Sequence, residues 1–294
     1  MAWKELAVTS RYPEFVEELL SAAGAQAVTQ RDAADTPVLE PAPGQTPLWP
    51  TTCTVGLFPA DTDLADPCQL LRDSLPSDDR PHFSTREILD ADWAHLWQQG
   101  VEAMSFGGRL WVRPASKPLP PAAGDDAVVV ELDPGLAFGT GTHPSTALCL
   151  RWLATQDLAG CHLLDYGCGS GILAIAALKL GAATACATDI DPQALLAARD
   201  NARRNGVDAR LQVCAPDALP ADFRGDVIVA NILASPLVAL APRLAALARP
   251  AARLALAGLL PDQEAMIRAA YAPEFTLDAP QLADGWLRMS GRRR

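Results

Sequence analysis

The 294-residue sequence lacks a C-x-x-C pair, a long uninterrupted apolar run and an excess of basic charge. Its seven cysteines are odd in number and scattered, which argues against a disulfide framework or a zinc site and favours a reducing cytoplasm. No apolar run is long enough to span a bilayer, and Lys4 and Glu5 interrupt the first residues. We therefore expect no membrane segment, no signal peptide and no metal.

Acidic charge predominates, with a formal net charge of −11 at pH 7. This sign disfavours nonspecific binding to nucleic acid, and it fits either a basic partner or solubility alone. The charge is uneven, because the first 117 residues hold nine basic and seventeen acidic side chains. An acidic accessory region of this kind suits a basic macromolecular substrate.

The first 113 residues predict a small α+β domain of short strands mixed with helices. We expect strands over 3–8, 51–58 and 110–112, and helices over 13–23, 65–75 and 86–99. The last of these helices carries Trp93 and Trp97 on one face. Four prolines within 114–124 forbid a regular helix and favour an extended spacer. We place the domain boundary at this linker.

Residues 125–294 alternate between strand-like and helix-like segments, which predicts a mostly parallel sheet covered on both faces. Strands are expected over 128–132, 162–165, 184–189, 210–214, 226–231, 253–258, 275–277 and 286–289. Helices are expected over 144–154, 172–180, 192–205, 236–247 and 261–271. We expect Ser235 to cap the helix that begins at residue 236.

The segment 163–171, LLDYGCGSG, is the centre of the second domain. An apolar strand ends in glycines at alternate positions, and a helical segment follows. Glycines let a ligand approach the backbone, and the helix N-terminus offers unpaired N–H groups, so this turn predicts a nucleotide-binding element. Gly167-x-Gly169-x-Gly171 differs from the G-x-G-x-x-G spacing of dinucleotide enzymes.

Polar side chains follow the strands of the predicted sheet, where ligands bind in folds of this kind. Asp165, Asp189 and Asn231 all fall at such strand ends. Asp191 precedes Pro192 and is expected to cap the next helix. Asp189 then remains available to accept hydrogen bonds from ribose hydroxyls. We expect Asn231 to face the reactive end of the ligand.

A second unusual segment, 136–146, contains two glycines and several hydroxyl residues ahead of a helix. This composition predicts a loop that folds over a bound ligand. His143 within it could act as a base or could simply orient the loop. Cys168 lies inside the glycine turn without a paired base, so we interpret it as a small filler rather than a nucleophile.

With these motifs in place, the sequence resembles class I S-adenosylmethionine-dependent methyltransferases, and more narrowly the bacterial ribosomal protein L11 methyltransferases. The resemblance covers most of the chain. It is strongest in LDPGLAFGTGTHPST (132–146), LLDYGCGSGILAIAALKLGA (163–182), ATDIDPQAL (187–195), RDNARRNGV (199–207) and VANILASPL (229–237).

This resemblance implies a doubly wound seven-stranded methyltransferase sheet with a smaller N-terminal α+β domain that recognises the ribosomal protein. It implies S-adenosylmethionine as cofactor. The implied cofactor-binding residues, to which we add Asp165 and Gly169, are Thr146, Gly167, Asp189 and Asn231. The segment 98–108 lacks a Phe-x-Pro-like element associated with relatives, so the match is weaker in the N-terminal region.

The implied reaction is methyl transfer to lysine or α-amino groups of L11, with Asn231 positioning the amine. Asn231 begins Asn-Ile-Leu-Ala rather than Asn-Pro-Pro-Tyr, which counts against adenine or glutamine as the target. We expect a cytoplasmic monomer that acts on the free ribosomal protein, without direct contact to nucleic acid. Alternatives are a methyltransferase for another protein or a small molecule, a nicotinamide-dependent oxidoreductase, and a noncatalytic ribosome-binding protein.

Overall fold

The computed structural model describes residues 3–34, 49, 51–88, 102–132 and 141–294. It forms two compact units, Met1–Leu96 and Trp97–Arg294. The smaller unit holds 16 acidic and six basic residues in its sequence, so almost all of the net acidity of the chain belongs to it.

Within its described residues, the first unit is an antiparallel sheet of order β2-β3-β1-β4 with two helices. Its elements are β1 (Trp3–Ser10), α1 (Pro13–Ala22), β2 (Ala27–Asp32), β3 (Thr52–Pro59), α2 (Ala65–Ser74) and β4 (His82–Ile88). The two helices pack on one face of the sheet, where Leu6, Val8 and Phe58 meet Leu20 and Leu71 in a shared apolar core.

The predicted elements 3–8, 13–23, 51–58 and 65–75 are confirmed to within two residues at the ends of each. Strands β2 and β4 were not predicted, because β2 has no buried residue and most residues of β4 are exposed, so neither strand shows an apolar face in the sequence. The expected helix 86–99 is wrong at its start, since residues 86–88 belong to β4. The rest of that helix, with Trp93 and Trp97, lies outside the described residues.

The second unit begins, in its described part, with a small sheet of order β5-β6-β7. Its strands are β5 (Met104–Ser105), β6 (Leu110–Arg113) and β7 (Val128–Glu131). Strands β6 and β7 pair in parallel, and Leu110 and Val112 join the apolar core of this unit.

The predicted linker 114–124 therefore connects two paired strands of one unit, and the structure divides between Leu96 and Trp97 instead. The proline-rich composition correctly excluded a helix, but the segment contains turns, closed by hydrogen bonds from Lys117 N–H to the Pro114 carbonyl and from Ala123 N–H to the Pro120 carbonyl, rather than a purely extended spacer. The composition also could not show that both flanking strands pair with each other. Arg113 secures the segment by donating hydrogen bonds to the carbonyls of Ala115 and Lys117.

The remaining strands of the second unit form its large sheet. They are β8 (His162–Tyr166), β9 (Thr184–Thr188), β10 (Leu211–Cys214), β11 (Gly225–Asn231), β12 (Ala248–Leu259), β13 (Phe275–Leu277), β14 (Gln281–Ala283) and β15 (Trp286–Arg293). The helices are α3 (Pro144–Ala154), α4 (Ile172–Lys179), α5 (Pro192–Arg204), α6 (Ala234–Leu247) and α7 (Glu264–Tyr271).

The sheet order is β10-β9-β8-β11-β12-β15-β13, with β14 paired to β15 at the side. Strands β8 to β12 pair in parallel, whereas β15 is antiparallel to both of its neighbours in this order. Successive side chains of a strand face opposite sides, and Leu163 and Leu164 accordingly enter two separate apolar cores. This confirms the doubly wound, seven-stranded α/β fold, with β14 as an unpredicted addition.

Two details of the helices differ from the predictions. Helix α6 begins at Ala234, its N-cap position is Leu233, and no side chain caps it, so the expected cap by Ser235 is wrong. The expected helix 261–271 is a 3₁₀ turn over Pro261–Gln263 followed by α7. Both differences lie at helix starts, where local propensity decides least.

Candidate active site

The glycine turn joins β8 to α4 at the carboxyl edge of the sheet. Gly167, Gly169 and Gly171 all have positive φ, at 78°, 51° and 77°, a region that side chains other than glycine rarely adopt. The backbone N–H groups of Gly167 and Cys168 both donate to the Thr188 carbonyl, at 2.7 and 3.0 Å. The turn is therefore fixed to the end of the neighbouring strand β9.

Gly167 is also a point of close approach. A Cβ atom at this position would lie 2.2 Å from Cγ2 of Ile232. The loop after β11 thus packs directly against the glycine turn, and any side chain at position 167 would push the two apart.

Asp189 follows β9 and faces the turn. Its Oδ2 accepts a hydrogen bond from the Gly169 N–H at 2.9 Å, and its Oδ1 accepts from the Asp191 N–H at 3.0 Å. Each carboxylate oxygen has a second lone pair, so the group can still accept from two hydroxyls of a ligand. Asp191 caps α5 by accepting from the Gln193 N–H at 2.9 Å, as predicted.

Asn231 ends β11 and is held by Thr146 of α3. Its Nδ2 donates to Thr146 Oγ1 at 3.1 Å, while Thr146 itself is almost completely buried. Asn231 Oδ1 is buried and has no hydrogen-bond partner among the described residues. An amide oxygen left in this state costs free energy unless a ligand donates to it.

His143 occupies the N-cap position of α3, where its Nδ1 accepts from the Ser145 N–H at 3.3 Å and lies 2.7 Å from Ser145 Oγ. Its ring meets Trp286 edge-on, with 4.5 Å between the ring centroids. Burial lowers the pKa of His143, which favours the neutral ring that the cap requires. The geometry supports the loop-orienting interpretation, and residues 136–140 of the predicted loop lie outside the described residues.

Asp165 lies beneath the glycine turn, fully buried at the end of β8. Its Oδ2 accepts from the Ala174 N–H at 3.1 Å, and its Oδ1 has no partner among the described residues. Burial raises the pKa of this carboxyl to about 7. Direct contact between Asp165 and a cofactor remains a prediction.

A cleft of about 400 Å³ opens over this edge of the sheet. Its walls include five residues that we predicted from sequence, namely His143, Gly167, Gly169, Asp189 and Asn231. Thr146 and Asp165 lie behind that wall. Sequence reasoning missed the other lining residues, which are Ser145, Ile232, Leu233, Gly258 and Trp286. Ser145 lies in the segment 136–146 that we predicted to fold over a ligand, and Ile232 and Leu233 follow Asn231 directly. Gly258 and Trp286 have no such signal in the sequence.

Four buried side-chain nitrogen or oxygen atoms in the described part of the chain lack a hydrogen-bond partner. Three of them, on Asp165, Thr188 and Asn231, stand at the carboxyl ends of β8, β9 and β11. The cleft thus combines glycine backbone, a carboxylate and uncompensated polar atoms, which suits a nucleoside with a charged amino-acid tail. Among the same residues, no cluster of His, Cys, Asp and Glu could hold a metal, and no helix is long and apolar enough to cross a membrane.

Fold and cleft together define a class I S-adenosylmethionine-dependent methyltransferase. The family described as "Ribosomal protein L11 methyltransferase (PrmA)" matches residues 2–294. This chain belongs to that family, which confirms the resemblance stated from sequence and argues against the oxidoreductase alternative.

Two curated relatives and one solved structure illustrate the similarity. The ribosomal protein L11 methyltransferase of Pseudomonas aeruginosa (strain LESB58) is 52% identical over 297 residues, covering 100% of this chain and 99% of the relative. That of Ectopseudomonas mendocina (strain ymp) is 51% identical over 300 residues, with both chains fully covered. The crystal structure of the ribosomal protein L11 methylase from Lactobacillus delbrueckii subsp. bulgaricus has a TM-score of 0.60 and 33% identity, covering 66% of this chain and 99% of that one.

Proposed function

We propose that this protein transfers the methyl group of S-adenosylmethionine to amino groups of ribosomal protein L11, on lysine side chains, the α-amino group or both. The observation that carries the proposal is the buried, partnerless Oδ1 of Asn231 in the cleft that the glycine turn and Asp189 also line. The N–H groups of an amine target can donate to this acceptor.

The bound cofactor supplies an electrophilic methyl group on a sulfonium. The chain holds that molecule through the glycine turn and through Asp189, whose carboxylate suits ribose hydroxyls. Thr146 orients the Asn231 amide by accepting from its Nδ2. The acceptor Oδ1 thereby keeps one direction, which serves the alignment that an in-line displacement needs.

The nucleophile must be a neutral amine, because an ammonium group has no free lone pair. A free lysine has a pKa of about 10.4 and an α-amino group about 8. Ile232, Leu233 and Trp286 give the cleft an apolar wall, and apolar surroundings lower the pKa of an amine. The site can therefore select the neutral form without a strong base, with His143 serving to orient α3.

The first unit is the candidate substrate-binding domain. Its sequence carries a net charge of −10, and opposite charge accelerates encounter with a basic protein. We propose that it recruits free L11 to a single copy of the enzyme, before the ribosomal protein is assembled. The concentration of negative charge in the first unit supports the proposal that this unit recruits the substrate while the second unit transfers the methyl group.

Intact-mass spectrometry of purified L11, incubated with the enzyme and S-adenosylmethionine, tests the proposal. We expect mass steps of one methylene each, and fragment ions will assign them to lysines or to the α-amino group. A reaction without cofactor serves as the blank. No mass change on L11, with cofactor binding shown separately by calorimetry, would refute the proposed substrate and leave the other-protein, small-molecule and noncatalytic alternatives.

A further inference from the structure

Gly258, in β12, faces the loop that carries Asn231. The neighbouring residue Ala257 is in register with Asn231 in the parallel pair β11–β12. Gly258 itself has a φ of +80°. A Cβ atom at position 258 would lie 2.6 Å from the Ile232 carbonyl oxygen and 3.2 Å from Asn231 Oδ1. The first distance is far inside van der Waals contact and involves backbone, so the loop would have to move.

The orientation of Asn231 gives this close approach a chemical consequence. Because Nδ2 donates to Thr146 on one side, the partnerless Oδ1 is the atom that faces Gly258. Gly258 also lines the cleft. Asn231 Oδ1 is closed to solvent, and a side chain at position 258 would crowd it further at 3.2 Å.

We propose that Gly258 is a positioning residue for methyl transfer: it keeps any side chain away from Asn231 Oδ1, so that a nitrogen donor of a ligand can reach this atom when it binds, and it seats the Ile232 carbonyl. This inference rests on the proposed function, and it adds a requirement that no sequence motif indicated. The donor is an amine or ammonium group. Two molecules can supply it: the target amine of the protein substrate, or the α-ammonium group in the methionine part of the cofactor.

The test compares Gly258→Ala with Gly160→Ala. Gly160 has a similar φ of +72°, but a Cβ there meets nothing within 4 Å, so it reproduces the backbone strain without the contact. For the wild type and both variants, calorimetry gives the Kd of S-adenosylhomocysteine, which carries the same α-ammonium group. Steady-state assays with L11 give kcat and KM, and the thermal transition reports folding.

We expect Gly258→Ala either to raise the Kd of S-adenosylhomocysteine or to lower kcat, by about ten-fold or more. This is the scale of one charge-assisted hydrogen bond. A raised Kd assigns the donor to the cofactor, whereas an unchanged Kd with a lowered kcat assigns it to the target amine. If Gly258→Ala matches Gly160→Ala within about two-fold in Kd, kcat and KM, the inference is overturned.

A second pair of variants keeps the inference testable if Gly258→Ala does not fold. Thr146→Val removes the oxygen that orients the Asn231 amide, and Thr146→Ser retains it. We expect Thr146→Val to show the same ten-fold effect on Kd or kcat, and Thr146→Ser to restore the wild-type value. Equal effects in both variants would contradict the proposal that Thr146 Oγ1 orients the Asn231 amide. Failure of the proposed substrate is distinguishable, because wild-type enzyme would then leave L11 unmodified while the Kd comparison remains measurable.

Discussion

The two edges of the large sheet differ in how far their polar side chains are already hydrogen-bonded, and this difference supports the carboxyl edge as the candidate active site. The amino edge carries the larger depression, a groove of about 490 Å³ with several charged and polar side chains, and the carboxyl edge carries the cleft of about 400 Å³. Several polar side chains of the groove are already paired: Arg249 pairs with Asp226 at 2.9 Å, and His162 Nδ1 lies 2.7 Å from Thr184 Oγ1. Arg210 likewise donates to the Ala182 carbonyl at 2.9 Å.

The carboxyl edge has the opposite character. Asp165, Thr188 and Asn231 each keep a buried oxygen without a partner among the described residues, and glycines leave the backbone open to a ligand. Buried polar groups are normally satisfied, and exceptions require an explanation. Buried polar atoms without partners, rather than the volume of a depression, therefore distinguish the candidate site in this molecule.

The largest expected effect concerns Asp165, whose burial raises its pKa to about 7. An unfolded chain loses this proton near pH 4, so between about pH 4 and 7 the unfolded state binds fewer protons than the folded state. The free energy of unfolding should therefore fall as pH rises through that window, by up to about 4 kcal/mol. Asp165→Asn should abolish this contribution.

Urea unfolding at several pH values from 4 to 8 measures how the free energy of unfolding depends on pH, with the wild type and Asp165→Asn compared at each pH. Parallel pH profiles for the two proteins would show that burial does not raise the pKa of Asp165. Only Thr188 and Asn231 would then support the contrast between the two edges.

The next effect concerns the close contact at Gly167. Gly167→Ala adds strain at positive φ of about 1 kcal/mol and overpacking against Ile232 of about 1–3 kcal/mol. We expect the free energy of unfolding to fall by the sum, measured by urea titration. In the Ile232→Ala background the overpacking part should disappear, and an equal loss in both backgrounds would contradict the packing geometry.

Asp189→Ala should weaken binding of S-adenosylhomocysteine by about 1–3 kcal/mol, the range for hydrogen bonds to a charged group. Isothermal calorimetry measures it. Asp222→Ala, in the amino-edge groove, is the matched control and should leave the affinity unchanged. Equal behaviour of the two variants would mean that Asp189 is not the ribose acceptor.

The smallest effect should come from the groove itself. Arg249→Met breaks the half-exposed pair with Asp226, and such pairs contribute about 0–1 kcal/mol. We expect a change of that size in the free energy of unfolding and no change in cofactor affinity. A ten-fold weaker affinity would show that the amino edge takes part in binding and would break the comparison.

Sequence reasoning predicted the parts of the site that local chemistry encodes. The glycine turn, Asp189, Asn231 and the Asp191 cap each follow a strand signal by a fixed spacing, so the sheet topology brings them to one edge. Trp286 and Gly258 escaped prediction because they reach the cleft from β15 and β12, and only the pairing of distant strands places them there.

The large sheet was predictable from the sequence, whereas strands β4 and β5 and the boundary between the two units were not. The alternation of strands and helices indicated the doubly wound sheet, because buried parallel strands are nearly continuous apolar segments. Strand β4 has mostly exposed side chains, and the two-residue strand β5 offers too little pattern to detect. The boundary was missed for a related reason, since the pairing of β6 with β7 across a proline-rich segment leaves no local trace.

Hydrogen–deuterium exchange, measured by mass spectrometry with and without S-adenosylhomocysteine, tests whether the cofactor binds at the carboxyl edge, because one experiment reports on both edges of the sheet. We expect the cofactor analogue to slow exchange in peptides from 163–174, 187–193 and 229–234 and to leave exchange in residues 209–224 unchanged. Protection confined to residues 209–224 and 249, with the glycine turn unaffected, would contradict it.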